Sequence, residues 1–291
     1  MKRVKLLILL ISVLMVSGCS GKSEGAKQSN QTSELEQIQE PVATKEDENN
    51  TVADQEEALI LPETDNTTGK VMIQTVSDSY AYPLNSYIIT SANGEVVIVD
   101  PTQMPSKEVV DLNPAAIVNT HGHDDHVDKK FNDSYPESQT IKYVKDDINT
   151  KDFHIYTILS SHSGDTIEEA NNNVIAVFEV DGLRIVHMGD IGQTALTEEQ
   201  LEALGEVDVA FMQFENSYSD MTLKNEKGFK IIEQLNPKIV IPTHYTDKAL
   251  PVLEEKYGAI QVFENKLTIA KNELPDTTLN VYQIQNEHKY K

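Results

Sequence analysis

Short runs of apolar and β-branched residues recur along the chain from about residue 70 onwards. Within many of these runs the apolar residues occupy consecutive positions, which is typical of strands that are buried on both faces. The pattern predicts strands at 71–76, 86–90, 95–100, 115–120, 141–144, 155–159, 174–180, 183–189, 207–212, 238–242 and 259–263.

Segments with helical spacing lie between some of these strands. Thr197 is a predicted N-cap with Gln200 three residues later, which is the arrangement of a capping box. The stretch 224–237 has apolar residues at helical spacing and stops at a proline, and two more helices are predicted near 104–112 and 247–257. Because the strands come first in hairpins and then alternate with helices, the order of elements predicts a layered α/β sandwich.

The start of the chain differs in pattern from the rest. Three basic residues precede an apolar run at 6–16, which is too short for a membrane-spanning helix. The run ends at VSGC, in which Cys19 is the only cysteine of the chain. This arrangement resembles a bacterial lipoprotein signal. The resemblance implies that residues 1–18 are a signal peptide and that acyl chains such as palmitate on Cys19 anchor the protein to the outer face of a cell membrane. An ordinary secretory signal is the alternative.

Composition distinguishes two further parts of the chain, a predicted tether and a predicted folded domain. Residues 19–69 are polar and acidic and contain no aromatic residue, so they are predicted to form a disordered acidic tether. Residues 70–291 are enough chain for one large domain, with 35 acidic and 18 basic residues. This acid excess argues against a nucleic-acid partner. The lack of cysteine in the domain excludes a disulfide, a thiolate ligand and a cysteine nucleophile there.

The stretch THGHDDHVD, residues 120–128, concentrates histidine and aspartate directly after a predicted strand. Ligand sites in α/β proteins commonly lie at such strand ends. The pattern H-x-H-x-D-H predicts that His121 and His123 bind one divalent ion, whereas Asp125 and His126 face a second ion. The alternative is a polar turn that binds no metal.

Three further candidate ligands follow other predicted strands. They are His162 in SSHSGD, Asp190 in HMGDIG and His244 in PTHY. Because the ends of several strands meet at one edge of a sheet, we expect these side chains to approach the first cluster. The prediction is that His121, His123 and His162 hold the first ion, that Asp125, His126 and His244 hold the second, and that Asp190 bridges the two.

Some of these assignments have alternatives. His154 lies eight residues before His162 and competes with it as the third ligand of the first ion. Asp190 is alternatively a helix N-cap or a turn residue, and His244 is alternatively a buried, hydrogen-bonded histidine. His187 is predicted to be a core or supporting histidine and not a ligand.

Together, HGHDDH, the later GD after an apolar strand and the final PTHY resemble the metallo-β-lactamase-fold hydrolase superfamily. NSYIITSANGEVVIVDP, DGLRIVHMGDIG, LTEEQLEALGEVDVAF and LNPKIVIPTHY resemble the branch that includes L-ascorbate-6-phosphate lactonase-like proteins, over roughly residues 70–265. The resemblance implies a four-layer αββα sandwich and a two-metal hydrolytic centre. Relatives in this branch often have a Gly-Gly turn where this chain has Glu215 and Asn216, so a relative's substrate is not transferred.

The predicted chemistry is hydrolysis of an ester, lactone or phosphodiester bond by a hydroxide bound to two metal ions. Zinc is expected, with manganese or ferrous iron as alternatives, and no organic cofactor site is indicated. Metal binding lowers the pKa of water towards about 7, and Asp125 is the predicted catalytic residue that orients the water and carries its proton. The expected substrate is a small molecule or a lipid.

The sequence also bears on three other functions: a β-lactamase with a cysteine ligand, a nuclease and a non-catalytic binding protein. The lack of cysteine after residue 19 excludes a β-lactamase that uses a cysteine ligand, and the acid excess disfavours a nuclease. The alternative from another class is a non-catalytic surface lipoprotein that binds metal or a ligand on a hydrolase scaffold. The sequence leaves the oligomeric state open.

Overall fold

The computed structural model describes residues 58–76, 85–168, 173–277 and 279–290. All of them belong to the unit Gln55–Lys291. The predicted signal peptide, the lipidated Cys19 and most of the predicted tether lie outside the described residues. None of the helices in the described ranges has the length and apolarity that a membrane-crossing helix needs.

The secondary structure of these ranges is mainly β. The helices are α1 (Lys129–Asp133), α2 (Glu198–Leu204), α3 (Lys227–Leu235) and α4 (Ala249–Tyr257), with a 3-10 turn at Lys271–Glu273. The strands are β1 (Val71–Thr75), β2 (Tyr87–Thr90), β3 (Val96–Val99), β4 (Ala116–Asn119), β5 (Gln139–Lys142), β6 (Asp147–Asn149), β7 (Phe153–Ser160), β8 (Asn173–Val180), β9 (Leu183–His187), β10 (Val209–Gln213), β11 (Ile239–Thr243), β12 (Gln261–Glu264), β13 (Lys266–Ile269) and β14 (Asn280–Gln285).

The strands form two sheets. The first sheet has the order β13-β1-β2-β3-β4-β5, and the second has the order β12-β14-β11-β10-β9-β8-β7-β6. In the first sheet β3, β4 and β5 are parallel. In the second sheet β9, β10 and β11 are parallel, and β7 runs in the same direction because it is antiparallel to β8, which is antiparallel to β9. Several strands of each sheet therefore end at a common edge.

The two sheets pack face to face over an apolar core. Its largest side chains include Tyr87 from the first sheet and Phe178 and Phe211 from the second, all fully buried. Strands such as β2, β3, β4, β10 and β11 are buried at every position, as expected for strands covered on both faces.

Helices cover the outer faces of both sheets. On the first sheet, Phe131 of α1 packs with Met104 and Leu112 from the loop before β4. On the second sheet, α2, α3 and α4 contribute a larger apolar layer, which includes Leu204, Phe229 and Leu253. The predicted four-layer αββα sandwich is therefore confirmed, with most of the helical cover on the second sheet.

Three of the predicted helices are present in the structure. Thr197 Oγ1 accepts from Gln200 N at 3.2 Å and Gln200 Oε1 accepts from Thr197 N at 2.9 Å, so the predicted capping box is present at α2. The helices predicted within 224–237 and near 247–257 are α3 and α4. α1 was not predicted, although Asp128 caps it by accepting from Phe131 N at 2.9 Å.

One predicted helix is wrong. The stretch 104–112 contains a single turn, in which Val109 N and Val110 N both bond to Ser106 O. Burial of Met104 and Leu112 on the outer face of the first sheet decides this conformation, and tertiary packing of this kind overrides a weak helical pattern. The short edge strand β6 and the strands β13 and β14 were not predicted. They mix polar and apolar residues, so their sequences have little of the periodicity that identifies a strand.

Residues before the predicted domain boundary at residue 70 make contacts with the rest of the described chain. Ile60 pairs with Lys289 as an antiparallel bridge, and Glu63 N donates to Gln74 Oε1 at 2.9 Å. Asn66 Nδ2 donates to two carbonyl oxygens, at 2.7 and 2.8 Å. The end of the predicted tether therefore contacts β1, Ser91 and Lys289 of the folded domain.

Candidate metal centre

All seven predicted ligands meet at the shared edge of the two sheets. They form two groups in which the potential ligand atoms lie within 4.8 Å of one another, and Asp190 belongs to both. The first group is His121, His123, His162 and Asp190, and the second is Asp125, His126, Asp190 and His244.

The structure separates His162 from its competitor. His162 lies in the first group, whereas His154 projects from β7 with its Nδ1 2.9 Å from Glu179 Oε2 and its Nε2 3.0 Å from Asp147 Oδ1. His154 therefore belongs to a surface network beside β6 and belongs to neither group of candidate ligands.

Asp190 is placed to bridge the two groups. Its Oδ1 lies 2.9 Å from His244 Nε2 and 3.2 Å from His126 Nε2. Its Oδ2 lies 3.5 Å from His121 Nε2 and 3.7 Å from His162 Nε2. Each carboxylate oxygen thus faces the imidazoles of one group.

The turn that carries Asp190 depends on a glycine. Gly189 has φ +56°, and a Cβ at this position would overlap Asn173 Oδ1 and the side chain of Thr120. Asn173 Oδ1 accepts from Asp190 N at 2.8 Å, and Asn173 Nδ2 donates to Met188 O at 2.8 Å. The close approach of the MGD turn to these neighbours is possible only without a side chain.

A residue that the sequence analysis missed fixes the orientation of His126. Asp100 follows β3 and is fully buried. Its Oδ2 lies 2.7 Å from His126 Nδ1, and its Oδ1 accepts from Thr120 N at 2.6 Å. An imidazole that donates its Nδ1–H to a carboxylate directs the lone pair of its Nε2 towards a metal. Asp100 is an acid at a strand end, the same signal that identified the ligands, so the sequence could have suggested it.

Asn85 is a buried residue that no local sequence pattern identifies, and it contacts two of the buried histidines. Asn85 Nδ2 lies 2.8 Å from His244 Nε2, and Asn85 O accepts from His187 Nε2 at 3.2 Å. Burial lowers the pKa of His187 to about 4, which keeps this histidine neutral at physiological pH. His187 thus takes the supporting position that the sequence predicted for it.

Glu215 and Asn216, which occupy the position of the Gly-Gly turn found in relatives, also lie at this edge. Asn216 Nδ2 donates to Asp190 Oδ2 at 2.7 Å. Glu215 N donates to His244 O at 2.8 Å, and Glu215 Oε2 accepts from Thr246 N at 2.8 Å. These two residues therefore hold the bridging carboxylate and the loop of His244 in place.

Burial and neighbouring charge set the protonation of the centre. Burial holds the pKa of His121 far below its usual range, so its imidazole is neutral. Burial disfavours the charged form of His126, but the carboxylates of Asp190 and Asp100 outweigh it and raise the pKa of His126. Burial alone would raise the pKa of Asp190, yet His126 and His244 hold it well below the usual value. Asp190 is therefore an anion at neutral pH.

The donor set fits divalent cations. Both ring nitrogens of His121 and Nε2 of His162 are buried and have no hydrogen-bond partner, and His126 Nε2 faces His244 Nε2 at 3.1 Å. Buried polar atoms without partners are costly, and a cation at each group would satisfy them. Imidazole nitrogen and carboxylate oxygen are suitable ligands for zinc and similar ions. Asp190 would be shared.

Known proteins show similarity over this same region. The family model described as "Beta-lactamase superfamily domain" matches residues 81–244. A UPF0173 metal-dependent hydrolase of Bacillus cereus is 26% identical over 219 residues, which are 64% of this chain and 92% of that protein. A UPF0173 metal-dependent hydrolase of Lysinibacillus sphaericus is 27% identical over 207 residues, which are 60% of this chain and 87% of that protein.

A solved structure supports the fold. A protein of the metallo-β-lactamase superfamily from Thermotoga maritima is 20% identical and superposes with a TM-score of 0.51, covering 74% of this chain and 100% of that one. At this level of identity the similarity concerns the architecture alone.

Proposed function

The chain belongs to the β-lactamase superfamily, whose domain spans residues 81–244, and on this premise we propose that it is a metal-dependent hydrolase with two divalent cations. The observation that carries the proposal is the pair of His/Asp groups that share Asp190. When bound, two such cations supply a nucleophilic hydroxide at neutral pH, by lowering the pKa of water towards about 7, and polarise the oxygen of the bond that is cleaved. Zinc suits these ligands, with manganese or ferrous iron as alternatives.

Each group of side chains has a distinct task in this proposal. The buried imidazoles of His126 and His244 are oriented by Asp100 and Asn85, so little reorganisation of these two ligands is needed when a cation binds. Asp190 lies between the two groups, where its negative charge would balance part of the positive charge of the cations. The first ion would be held by His121, His123 and His162 and the second by Asp125, His126 and His244, with Asp190 as the bridge.

Asp125 is the proposed catalytic residue. Its side chain is 14% exposed, whereas the side chains of His126, Asp190 and His244 are at most 3% exposed. A carboxylate at the solvent side of the centre can orient the attacking water and pass its proton to the leaving group. This role places Asp125 in contact with the reacting atoms.

The proposed substrate has an ester, lactone or phosphodiester bond and is a small molecule or a lipid. A lipid substrate would suit a protein that is anchored to the outer face of a membrane. No nucleic acid is expected as a partner, because the domain is strongly acidic.

The decisive experiment combines elemental analysis with a substrate panel. We expect the purified full chain to contain two divalent ions and to hydrolyse members of a panel of esters, lactones and phosphodiesters. His162→Ala should lose one ion and most of the activity, since it removes a ligand of the first group. The matched control is His154→Ala on β7, which should keep both ions and the activity, since His154 contacts Glu179 and Asp147 and belongs to neither group. Two bound ions with no turnover on the whole panel would favour a non-catalytic metal-binding lipoprotein.

Membrane anchoring is a separate proposal with its own test. Replacement of Cys19 with serine removes the thiol that would carry the acyl chains, so we expect the variant to leave the membrane fraction of cells that make it. Ser20→Ala is the matched control and should stay with the membrane. A Cys19→Ser variant that fractionates like the natural chain would rule out lipidation at this position.

A further inference from the structure

The two groups of candidate ligands differ in negative charge. The first group contains one carboxylate, Asp190, whereas the second contains Asp190 and Asp125. A further carboxylate lies beside the second group, since Asp100 Oδ2 is 2.7 Å from His126 Nδ1. The attraction of a divalent cation increases with the number of anions near it. Charge therefore favours binding of a cation at the second group.

The imidazoles of the first group have less support than His126. Both ring nitrogens of His121 and Nε2 of His162 are buried without a hydrogen-bond partner in the part of the chain that the structure describes. A cation would satisfy one nitrogen of each ring, so the other nitrogen of His121 would stay without a partner. His123 is exposed. Partners that orient metal-binding histidines typically raise the affinity for the metal ten- to hundredfold, and Asp100 is such a partner for His126.

The position of His162 depends on the segment that follows Asp190. Gly192 N donates to Ser161 O at 2.7 Å, and Ser161 N donates to Gln193 Oε1 at 3.0 Å. Two consecutive residues therefore hold both backbone groups of the residue before His162. A Cβ on Gly192 would overlap His162 O, so the two segments are in direct contact.

Gln193 is itself held by α2. Its Nε2 donates to Gln200 Oε1 at 3.0 Å, and Gln200 Nε2 donates back to Gln193 Oε1 at 3.0 Å. Gln200 Nε2 also donates to Leu159 O at 2.9 Å, three residues before His162. Gln193 and Gln200 are 1% and 3% exposed, and a buried amide pair whose hydrogen bonds are made is rigid. Gln193 therefore positions the loop that carries His162.

We propose that the second group binds its cation more tightly than the first, and that Gln193 sets the affinity of the first group by positioning the loop of His162. The proposal rests on the two-cation function proposed above and adds a regulation of that centre. Where divalent metal is scarce, the chain holds one cation, at the second group. A cation joins the first group only at a higher concentration of metal, so activity follows the availability of metal.

The order of filling is tested on the natural full chain, which is depleted of metal and then titrated with zinc. Calorimetry should show two binding events whose affinities differ by about tenfold or more. NMR of the chain with isotope-labelled histidine assigns each event to a group. The ring signals of His126 and His244 should change with the first equivalent of zinc, and those of His123 and His162 with the second. Equal affinities, or earlier changes at His123 and His162, would overturn the proposal.

The positioning role is tested by Gln193→Met, which keeps the length of the side chain and removes its amide. We expect the affinity of the first group for zinc to fall about tenfold, while that of the second group stays within about twofold. Gln74→Met is the matched control, because Gln74 is also 1% exposed and also bonds to a distant backbone, at Glu63 N and O, both at 2.9 Å. This control should bind both ions as the natural chain does. An equal loss at both groups in Gln193→Met, or no loss at the first, would contradict the role of Gln193.

A variant at the surface tests the same loop without changing the core. Asp165 is exposed and lies three residues after His162, where its Oδ1 accepts from Thr194 N at 2.6 Å. Asp165→Ala removes this second anchor of the loop and should weaken the first group alone, by about threefold, since one hydrogen bond is lost. If Gln193→Met does not fold, an unchanged affinity of the first group in Asp165→Ala would overturn the proposal.

The order of filling and the proposed hydrolysis can fail separately. If the two zinc events and the effect of Gln193→Met are seen but no substrate of the panel is turned over, the hydrolysis fails and the order of filling stands. If hydrolysis is seen in a chain that binds two ions with equal affinity, the order of filling fails and the hydrolysis stands.

Discussion

Replacement of Asp190 with alanine is expected to lower kcat/KM by about a thousandfold, the size of effect expected when a preorganised centre loses a main electrostatic group. Asp190 is the one residue that belongs to both groups of candidate ligands among the described residues. Its two oxygens face different imidazoles, 2.9 Å from His244 Nε2 and 3.5 Å from His121 Nε2. Alanine would remove the anion that both cations need, so the variant should also lose bound metal.

The measurement is elemental analysis together with kcat/KM on the substrate that the panel identifies. Asp220→Ala is a suitable control, since Asp220 lies in the neighbouring loop and is paired with Lys227 at 2.8 Å. We expect this control to keep both ions and its activity. Full turnover by Asp190→Ala with two ions would exclude the bridging role. Full turnover of the natural chain with a single ion would reject the two-ion mechanism.

Replacement of Asp100 with asparagine is expected to weaken metal binding at the second group by about a hundredfold, within the range known for residues that orient metal-binding histidines. Asp100 accepts at both oxygens, from His126 Nδ1 at 2.7 Å and from Thr120 N at 2.6 Å. An asparagine can accept at only one of these positions. If its NH₂ faces His126, the imidazole proton moves to Nε2, where it blocks the bond to the metal.

The affinity of each site can be followed by calorimetric titration of zinc into the metal-depleted chain. Asp128→Asn is the matched control, because Asp128 lies in the same region and its Oδ1 caps α1 through Phe131 N. Asparagine is an equally good N-cap, so this variant should bind zinc as the natural chain does. An equal loss in both variants would mean that Asp100 acts through general folding and not through His126.

The strand pattern was sufficient to predict much of the site. Runs of buried residues marked β4, β9 and β11, and His121, Asp190 and His244 follow these strands at or near their ends. Parallel strands end at one edge of a sheet. The position of these residues after strands was therefore enough to predict that they lie close together, although they are distant in the chain. The choice between His154 and His162 was less certain from the sequence. The structure places His162 in the first group of candidate ligands, whereas His154 lies near the start of β7 and in neither group.

The supporting contacts were harder to predict, because they join residues that are far apart in the chain. Asn216 reaches Asp190 across 26 residues and Asn85 reaches His244 across 159 residues. A buried amide has no periodicity or spacing that separates it from any other loop residue. The turn at 104–112 was predicted as a helix for a related reason, since its conformation depends on packing against the first sheet.

The sequence by itself determined most of the strands, the layered class of fold, the seven candidate ligands and the acidic character of the domain. These properties follow from local periodicity, residue chemistry and composition, which each segment carries alone. The tertiary structure decided the two-group geometry around Asp190 and the support from Asp100 and Asn216. Such features depend on which surfaces of separate elements meet, and that is established only when the two sheets pack together.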